Sequence, residues 1–159
     1  MPLNHIADRY LHAFAQQEEF DGGLSFRNAL LQSKLDYSVE SLKRVDHLLN
    51  QMRTRLHPNP DEFFDPQPNQ NFLYLLAFYV GAVVSRTAGS SITWLGYDEM
   101  LQRIPDNEPY FPRCFATSIT CVLSGGTKSG FFVPLSSITE VLFEEHPEKS
   151  VAFSAGTFI

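Results

Sequence analysis

An arginine directly after a long apolar segment offers the clearest candidate chemistry in this chain. The run 72–84 contains no charged side chain, and Arg86 follows two residues later. A guanidinium in this position pairs with carboxylates or carbonyls, or stacks on an aromatic ring, for which we expect Trp94. Tyr79, Arg86 and Trp94 are therefore candidate ligand or partner residues, beside a close backbone approach at Gly81. We favour a structural arginine that holds the helix end to a sheet, and an anion or partner anchor is the alternative.

A histidine and aspartate cluster near the N-terminus is the only candidate metal site. His5, Asp8 and His12 follow each other at steps of three and four residues, which places them on one face of a helix. Imidazole and carboxylate bind zinc or iron. The same pattern is common on a solvated helix face, and we favour that interpretation, so no metal and no cofactor is expected.

Other catalytic patterns do not match the spacing that their chemistry requires. The Gly-rich segment 124–130 contains Lys128 and Ser129, but Val122 and Thr127 stand where a phosphate-binding loop needs glycines. We expect a hairpin turn there. No nucleophile motif of the GxSxG type occurs, and we therefore lean towards a protein that is not an enzyme.

An acidic and aromatic segment is the main candidate for a partner surface. It comprises Asp61, Glu62, Phe63, Phe64 and Asp65. With 18 acidic and 12 basic residues the net charge is −6, which suits a basic protein partner and gives no basic stripe for nucleic acid. The alternative is that the two phenylalanines anchor this segment to the core.

The composition predicts one soluble domain over residues 1–159. The chain is 43% hydrophobic and 13% aromatic, which is typical of a globular protein. The thirteen-residue apolar run is shorter than the roughly 20 residues that span a bilayer, and the N-terminus lacks a signal-peptide pattern. We expect a cytoplasmic protein without membrane contact, in which Cys114 and Cys121 are reduced and buried.

Apolar spacing and capping residues predict helices first and a short sheet later. Predicted helices run from Asn4 to about Glu19, over 26–31, from the N-cap Ser38 to about Arg55, over the buried run 72–84, and from Ser136 or Ser137 to Glu145. Predicted strands cover 92–95, 115–123, 131–133 and 151–153, with 157–159 as an optional addition. Four prolines predict a loop over 57–71, and 97–104 is ambiguous between helix and strand. The pattern indicates an α+β fold, with helices packed on a mostly antiparallel sheet.

Two motifs resemble a family of small bacterial proteins that has no established activity. The first is Asp36-Tyr37-Ser38 leading into a helix through Leu42, and the second is a Y-x-G-x-x-x-x-R helix, here Tyr79 to Arg86, before a tryptophan strand. The resemblance covers about residues 35–95. Ala82 stands where the family often has an acidic residue, so any role of that acid is missing here.

The absence of a catalytic pattern and the acidic surface favour a non-enzymatic cytoplasmic interaction protein. An immunity-like (toxin-neutralising) or adaptor role would be one form of it. The second hypothesis is a small-molecule or anion binder, or an enzyme, with a pocket between helices and sheet near Arg86 and Trp94. The third is a structural protein that forms homodimers through exposed aromatic residues.

Overall fold

The computed structural model describes residues 2–104, 111–126 and 129–159. Pro105 and Pro109, which with Pro112 predict an irregular crossing between elements, lie outside these ranges, as does the Thr127-Lys128 part of the expected hairpin turn. The helices are α1 (Leu3–Ala15), α2 (Arg27–Gln32), α3 (Val39–Leu56), α4 (Pro60–Phe64), α5 (Gln67–Ala88), α6 (Tyr97–Arg103), α7 (Pro134–Phe143) and α8 (Val151–Gly156). The strands are β1 (Ser91–Gly96), β2 (Ile119–Ser124) and β3 (Gly130–Phe132).

The predicted α+β fold is confirmed by a helical layer around one antiparallel sheet. The strand order is β1-β2-β3, and Trp94 pairs with Cys121 across the first two strands. The expected hairpin is formed by β2 and β3, in which Val122 pairs with Phe131. Buried residues from Ala7 to Ala155 form a continuous core that joins both layers.

The expected central helix is confirmed, and it is longer than the apolar run. Helix α5 begins at Gln67 with proline at its second position, and it ends at Gly89, whose φ of 66° provides the left-handed C-terminal stop. Length and composition would let this helix cross a membrane, but 67% of its most apolar window is buried inside the protein. Such burial is typical of the core helix of a soluble protein.

The predicted start of α3 is also confirmed in atomic detail. The Ser38 side chain accepts a hydrogen bond from the amide of Ser41, which satisfies one of the free donors of the first turn. The three- and four-residue spacing of Leu42, Val45, Leu49, Met52 and Leu56 predicts one buried stripe, and the structure confirms it except at Leu56, which is 53% exposed. The buried residues of α3 are Ser41, Leu42, Val45, Leu48, Leu49 and Met52.

The buried amide of Asn71 holds the N-terminal loop against α5. Its nitrogen donates to the carbonyl oxygens of Asp21 and Gly23 at 2.9 and 2.7 Å. Its oxygen accepts from the Tyr10 hydroxyl at 2.7 Å and from the Gln67 amide at 3.0 Å. Because all four bonds are made, the amide is stable at only 1% exposure.

Three of the four prolines of 57–71 lie at the starts of helices, so the prediction of a simple loop is wrong. Pro60 is the first residue of α4, and the side chain of Asn59 caps this helix by accepting from the amide of Glu62. Proline is tolerated in a first turn because its missing donor would have no partner there. The same principle starts α7 at Pro134, earlier than the expected Ser136.

The predicted C-terminal strand is wrong, because residues 151–156 form α8. The carboxylate of Asp46 accepts from the amides of Val151 at 2.7 Å and Ala152 at 3.0 Å. The Ser150 side chain accepts from the amide of Phe153 at 2.9 Å. Burial raises the pKa of Asp46, and these hydrogen bonds oppose the rise. The first turn of α8 is thus capped by a residue that lies more than 100 positions earlier.

Around the sheet, one ambiguous segment is resolved and two expectations are corrected. The ambiguous segment 97–104 contains the helix α6, and the predicted strand over 115–123 begins with a single 3-10 turn before β2. Both cysteines are free, as expected, but Cys114 is exposed. Cys121 is buried in β2, where burial raises the pKa of its thiol to about 12.

Candidate functional site

The central helix presents two different faces at the residues that we singled out. Tyr79 and Arg86 are seven residues apart, which is nearly two complete turns, so they share one side of α5. Gly81 lies about 140° around the helix from Arg86. The sequence candidates are therefore divided between two environments.

A chain of hydrogen bonds connects Tyr79 to the start of α3. The Tyr79 hydroxyl accepts from the amide of Tyr37 at 2.8 Å and lies 2.6 Å from the Ser41 hydroxyl. The Ser41 hydroxyl donates to the carbonyl oxygen of Ser38 at 2.5 Å. Because that uses its one hydrogen, Tyr79 is the donor to Ser41. Burial raises the pKa of Tyr79, so its phenol stays protonated and can donate.

Tyr37 is held between two side chains of α5. Its ring lies 4.8 Å from the Tyr79 ring, and the Arg86 guanidinium carbon lies 3.7 Å from its centroid. Its backbone has a φ of 66°, in the left-handed region that bulky residues rarely adopt. The surrounding contacts therefore hold Tyr37 in a conformation that is unfavourable for the isolated residue.

Asp36 is occupied by neighbours on its own segment. It accepts from the Ser38 hydroxyl at 2.5 Å, from the Ser38 amide at 3.1 Å and from Arg44 at 3.0 Å. These contacts, the Ser38 hydroxyl first, lower the pKa of Asp36. Arg44 also donates twice to the carbonyl oxygen of Lys34.

The Arg86 guanidinium, in contrast, contacts only the Tyr37 ring within the described part of the chain. It is exposed, and among the described residues it makes no hydrogen bond and no ion pair. We call the group formed by Asp36, Tyr37, Ser38, Ser41, Arg44, Tyr79 and Arg86 the Tyr37 cluster. Its surface presents an arginine whose donors are not used by the described part of the chain.

The expected stack of Arg86 on Trp94 is wrong. Trp94 is 4% exposed and packs edge-on against Phe78, with ring centroids 5.0 Å apart. Its ring also covers Gly81, where an added Cβ would lie 2.4 Å from the Trp94 Cζ2 atom. Trp94 therefore fills the contact between α5 and the sheet, and the expected close approach at Gly81 is confirmed.

The acidic segment 61–65 does not form the combined acidic and aromatic surface that was expected to bind a partner. Phe63 is 7% exposed, and Phe64 stacks on Phe115 with centroids 4.4 Å apart. The two rings anchor the segment to the core, which was the alternative interpretation. Only the carboxylates of Asp61, Glu62 and Asp65 remain exposed.

The N-terminal histidines line a groove without forming a metal site in the described residues. His5, Asp8 and His12 are exposed along α1 and border a cavity of about 620 Å³. His12 lies 3.7 Å from Glu18, and no group of three potential ligands with suitable geometry occurs in the described ranges.

Five members of the Tyr37 cluster were not singled out as site residues from the sequence. They are Asp36, Tyr37, Ser38, Ser41 and Arg44. The available signal was the resemblance, because its two motifs, 36–42 and 79–86, are brought into contact here. Comparison with protein-family models, with curated proteins and with solved structures finds no match to this chain.

Proposed function

We propose that this chain is a non-enzymatic protein-interaction domain that binds its partner through the Tyr37 cluster. The observation that carries this proposal is the exposed Arg86 guanidinium, which lies 3.7 Å above the Tyr37 ring with its donors uncommitted among the described residues. Arginine and tyrosine are enriched among the residues that dominate binding energy at protein interfaces.

The cluster is organised before any partner arrives. The Tyr79 hydroxyl fixes the backbone of Tyr37, and the ring of Tyr37 orients Arg86. Binding through side chains that are already ordered costs less conformational entropy than binding through mobile ones. Val39 lies beside the cluster in sequence and is 40% exposed, so it adds an apolar contact to the polar anchor.

The chemistry of the cluster supports binding more than catalysis. The Ser41 hydroxyl is committed to a backbone carbonyl, and the raised pKa of Tyr79 keeps that phenol neutral. Among the described residues, neither hydroxyl is hydrogen-bonded to a base that could activate it as a nucleophile. An immunity-like or adaptor role in the cytoplasm remains the form of interaction that we propose.

A second candidate function is an anion or small-molecule binding protein that uses the same arginine. The uncommitted donors of Arg86 favour it, since a guanidinium binds carboxylates and phosphates in a two-point geometry. In that case the ligand would sit on the surface at Tyr37, because Trp94 is buried on another side of α5.

Site-specific photo-cross-linking in cells of the native host tests the interaction proposal. A benzophenone side chain at exposed Thr87, beside Arg86, should trap one defined protein, or a second copy of this chain if the interface is that of a homodimer. The control position is exposed Gln51, which lies about 20 Å further along from Tyr37 at the helical rise. A product of equal yield at both positions, or none at Thr87, would contradict the proposal.

Two substitutions provide a matched test of the apolar contact. Val39→Ser should reduce the Thr87 cross-link, whereas Leu56→Ser, at the other end of α3, should leave it unchanged. Leu56 is 53% exposed, so both variants remove a similar exposed side chain from the same helix.

A further inference from the structure

We infer that the group bound by Arg86 is a carboxylate of an acidic peptide segment. This inference rests on the proposed function and names the chemistry of the partner at the same site. Three independent observations lead to it: the free edge of the guanidinium, the local charge and the apolar surface beside it.

The stack on Tyr37 determines which part of Arg86 is available. The ring covers one face of the planar guanidinium, while its N–H donors point outward from the edge of the plane. Two parallel donors of an arginine match the two oxygens of a carboxylate. Arg86 is exposed, so such a group can approach without moving the chain.

The acidic side chains that lie closest to Tyr37 in sequence are occupied. Asp36 pairs with Arg44 at 3.0 Å, and Glu40 pairs with Lys43 at 3.5 Å. Neither forms an ion pair with Arg86, although Asp36 directly precedes the tyrosine on which Arg86 stacks. The vacant acceptor position at Arg86 is thus left for a group from outside the described chain.

The local charge is opposite to the charge of the whole protein. Segment 34–44 together with Arg86 contains four basic and two acidic side chains, whereas the chain as a whole carries a net charge of −6. At physiological ionic strength charges are screened over about 8 Å, so the local balance decides which group is favoured at contact. The net acidity had suggested a basic partner, but the surface at Arg86 is complementary to an acidic one.

The apolar surface favours a peptide over a free anion. Val39 is 40% exposed and the Tyr37 ring is half-buried, so both offer apolar contacts beside the guanidinium. A phosphate or acetate ion could use only the charge. A peptide can place a carboxylate on Arg86 and an apolar side chain on its neighbours.

An NMR titration of the full chain tests this inference. The probe is a ten-residue peptide with blocked ends in which glutamate and alanine alternate, and the observed signals are the Nε–H of Arg86 and the amides of Tyr37 and Thr87. We expect saturable shifts of these signals, which weaken as salt is added. Arg86→Met, which keeps most of the side-chain length, should reduce the affinity about tenfold or more.

The controls separate the inference from the proposed function. Arg55→Met removes another exposed arginine and should leave the affinity unchanged. Neither Arg55→Met nor Arg86→Met should change the melting temperature. Equal binding of the matched glutamine or lysine peptide, no shift with the glutamate peptide, or binding of free phosphate or acetate as tight as that of the glutamate peptide would overturn the acidic-peptide assignment. If the Thr87 cross-link to a partner persists in that case, the interaction proposal stands and only its chemistry is wrong.

Discussion

The phenolic oxygen of Tyr79 lies 2.8 Å from the amide nitrogen of Tyr37, and this bond joins the central helix to the ring that orients Arg86. Tyr37 has a left-handed backbone conformation, and its N–H donates to this side chain of α5 and not to a carbonyl of a helix or strand. A core residue thereby determines the geometry of a surface residue. The account of function depends on this relationship.

Removing that hydroxyl should destabilise the fold and loosen the cluster. In Tyr79→Phe the amide of Tyr37 and the hydroxyl of Ser41 lose a partner, and we expect the free energy of unfolding to fall by about 1–2 kcal/mol. Urea unfolding measures it. The control is Tyr74→Phe, whose hydroxyl faces a Ser118 side chain that already donates to Phe115, so its cost should be smaller. An equal loss of unfolding free energy in Tyr79→Phe and Tyr74→Phe would contradict the assigned role of Tyr79.

Adding one methyl group to the central helix should be unfavourable. In Gly81→Ala the new Cβ would lie 2.4 Å from Cζ2 of Trp94, whose ring is also held by Phe78. The free-energy cost of overpacking should exceed the helix-propensity gain of about 1 kcal/mol, so we expect a net destabilisation of about 1–2 kcal/mol.

The sole tryptophan makes the Gly81 experiment direct, because its fluorescence reports the contact itself. The control is Gly156→Ala in α8, where an added Cβ meets no atom within 4 Å and should be neutral or slightly stabilising. If Gly81→Ala were as stable as the unmodified chain, the close contact with Trp94 would be refuted.

Asn71 should be among the most sensitive polar positions of the chain. Asn71→Ala removes four hydrogen bonds and leaves the carbonyl oxygens of Asp21 and Gly23 without their donor. We expect a loss of about 2–4 kcal/mol in chemical unfolding. Asn28→Ala, at an exposed position of α2, should change stability little. A loss below 1 kcal/mol for Asn71→Ala, on the order of one ordinary hydrogen bond, would contradict the network.

Because the pKa of Asp36 is lowered in the folded chain, we expect the free energy of unfolding to depend on pH. The pKa of Asp36 in the folded chain is below the ordinary 3.8, so the stabilising contribution of this carboxylate is present above pH 3.8 and is lost as the pH falls through the folded pKa. Asp36→Asn should therefore be less stable than the unmodified chain at pH 6, and the two should converge in strong acid.

The origin of this pH dependence can be separated with two further variants. The Ser38 hydroxyl is the largest cause of the lowered pKa and Arg44 is a smaller one. Ser38→Ala should flatten the acid dependence of unfolding more than Arg44→Met does. The reverse order would show that the ion pair, and not the hydrogen bond, holds the carboxylate.

Much of the fold could be predicted because local signals and packing agree. Ser38 has the chemistry of an N-cap, Gly89 that of a C-terminal stop, and the run 72–84 is too apolar for any surface. The predictions failed where a distant residue determines the structure. Helix α8 has one local signal, the N-cap Ser150, but its first two amides are bound by Asp46, which nothing within residues 150–159 indicates.

The candidate site could be predicted only in part for the same reason. Arg86 and Tyr79 were recognisable from their place in the apolar helix. Arg86 was expected to stack on Trp94, which follows it closely in sequence, but it stacks on Tyr37, about 50 positions earlier. Helical geometry explains the outcome, since Arg86 shares a face with Tyr79 and not with Gly81.

The most direct test of the account is the affinity of the purified cross-linked partner for three forms of the chain, measured by isothermal titration calorimetry. The unmodified chain and Arg55→Met should bind equally, and Arg86→Met should bind about tenfold or more weakly with an unchanged melting temperature. Equal affinity of all three forms would show that Arg86 is a structural arginine and that the partner surface lies elsewhere.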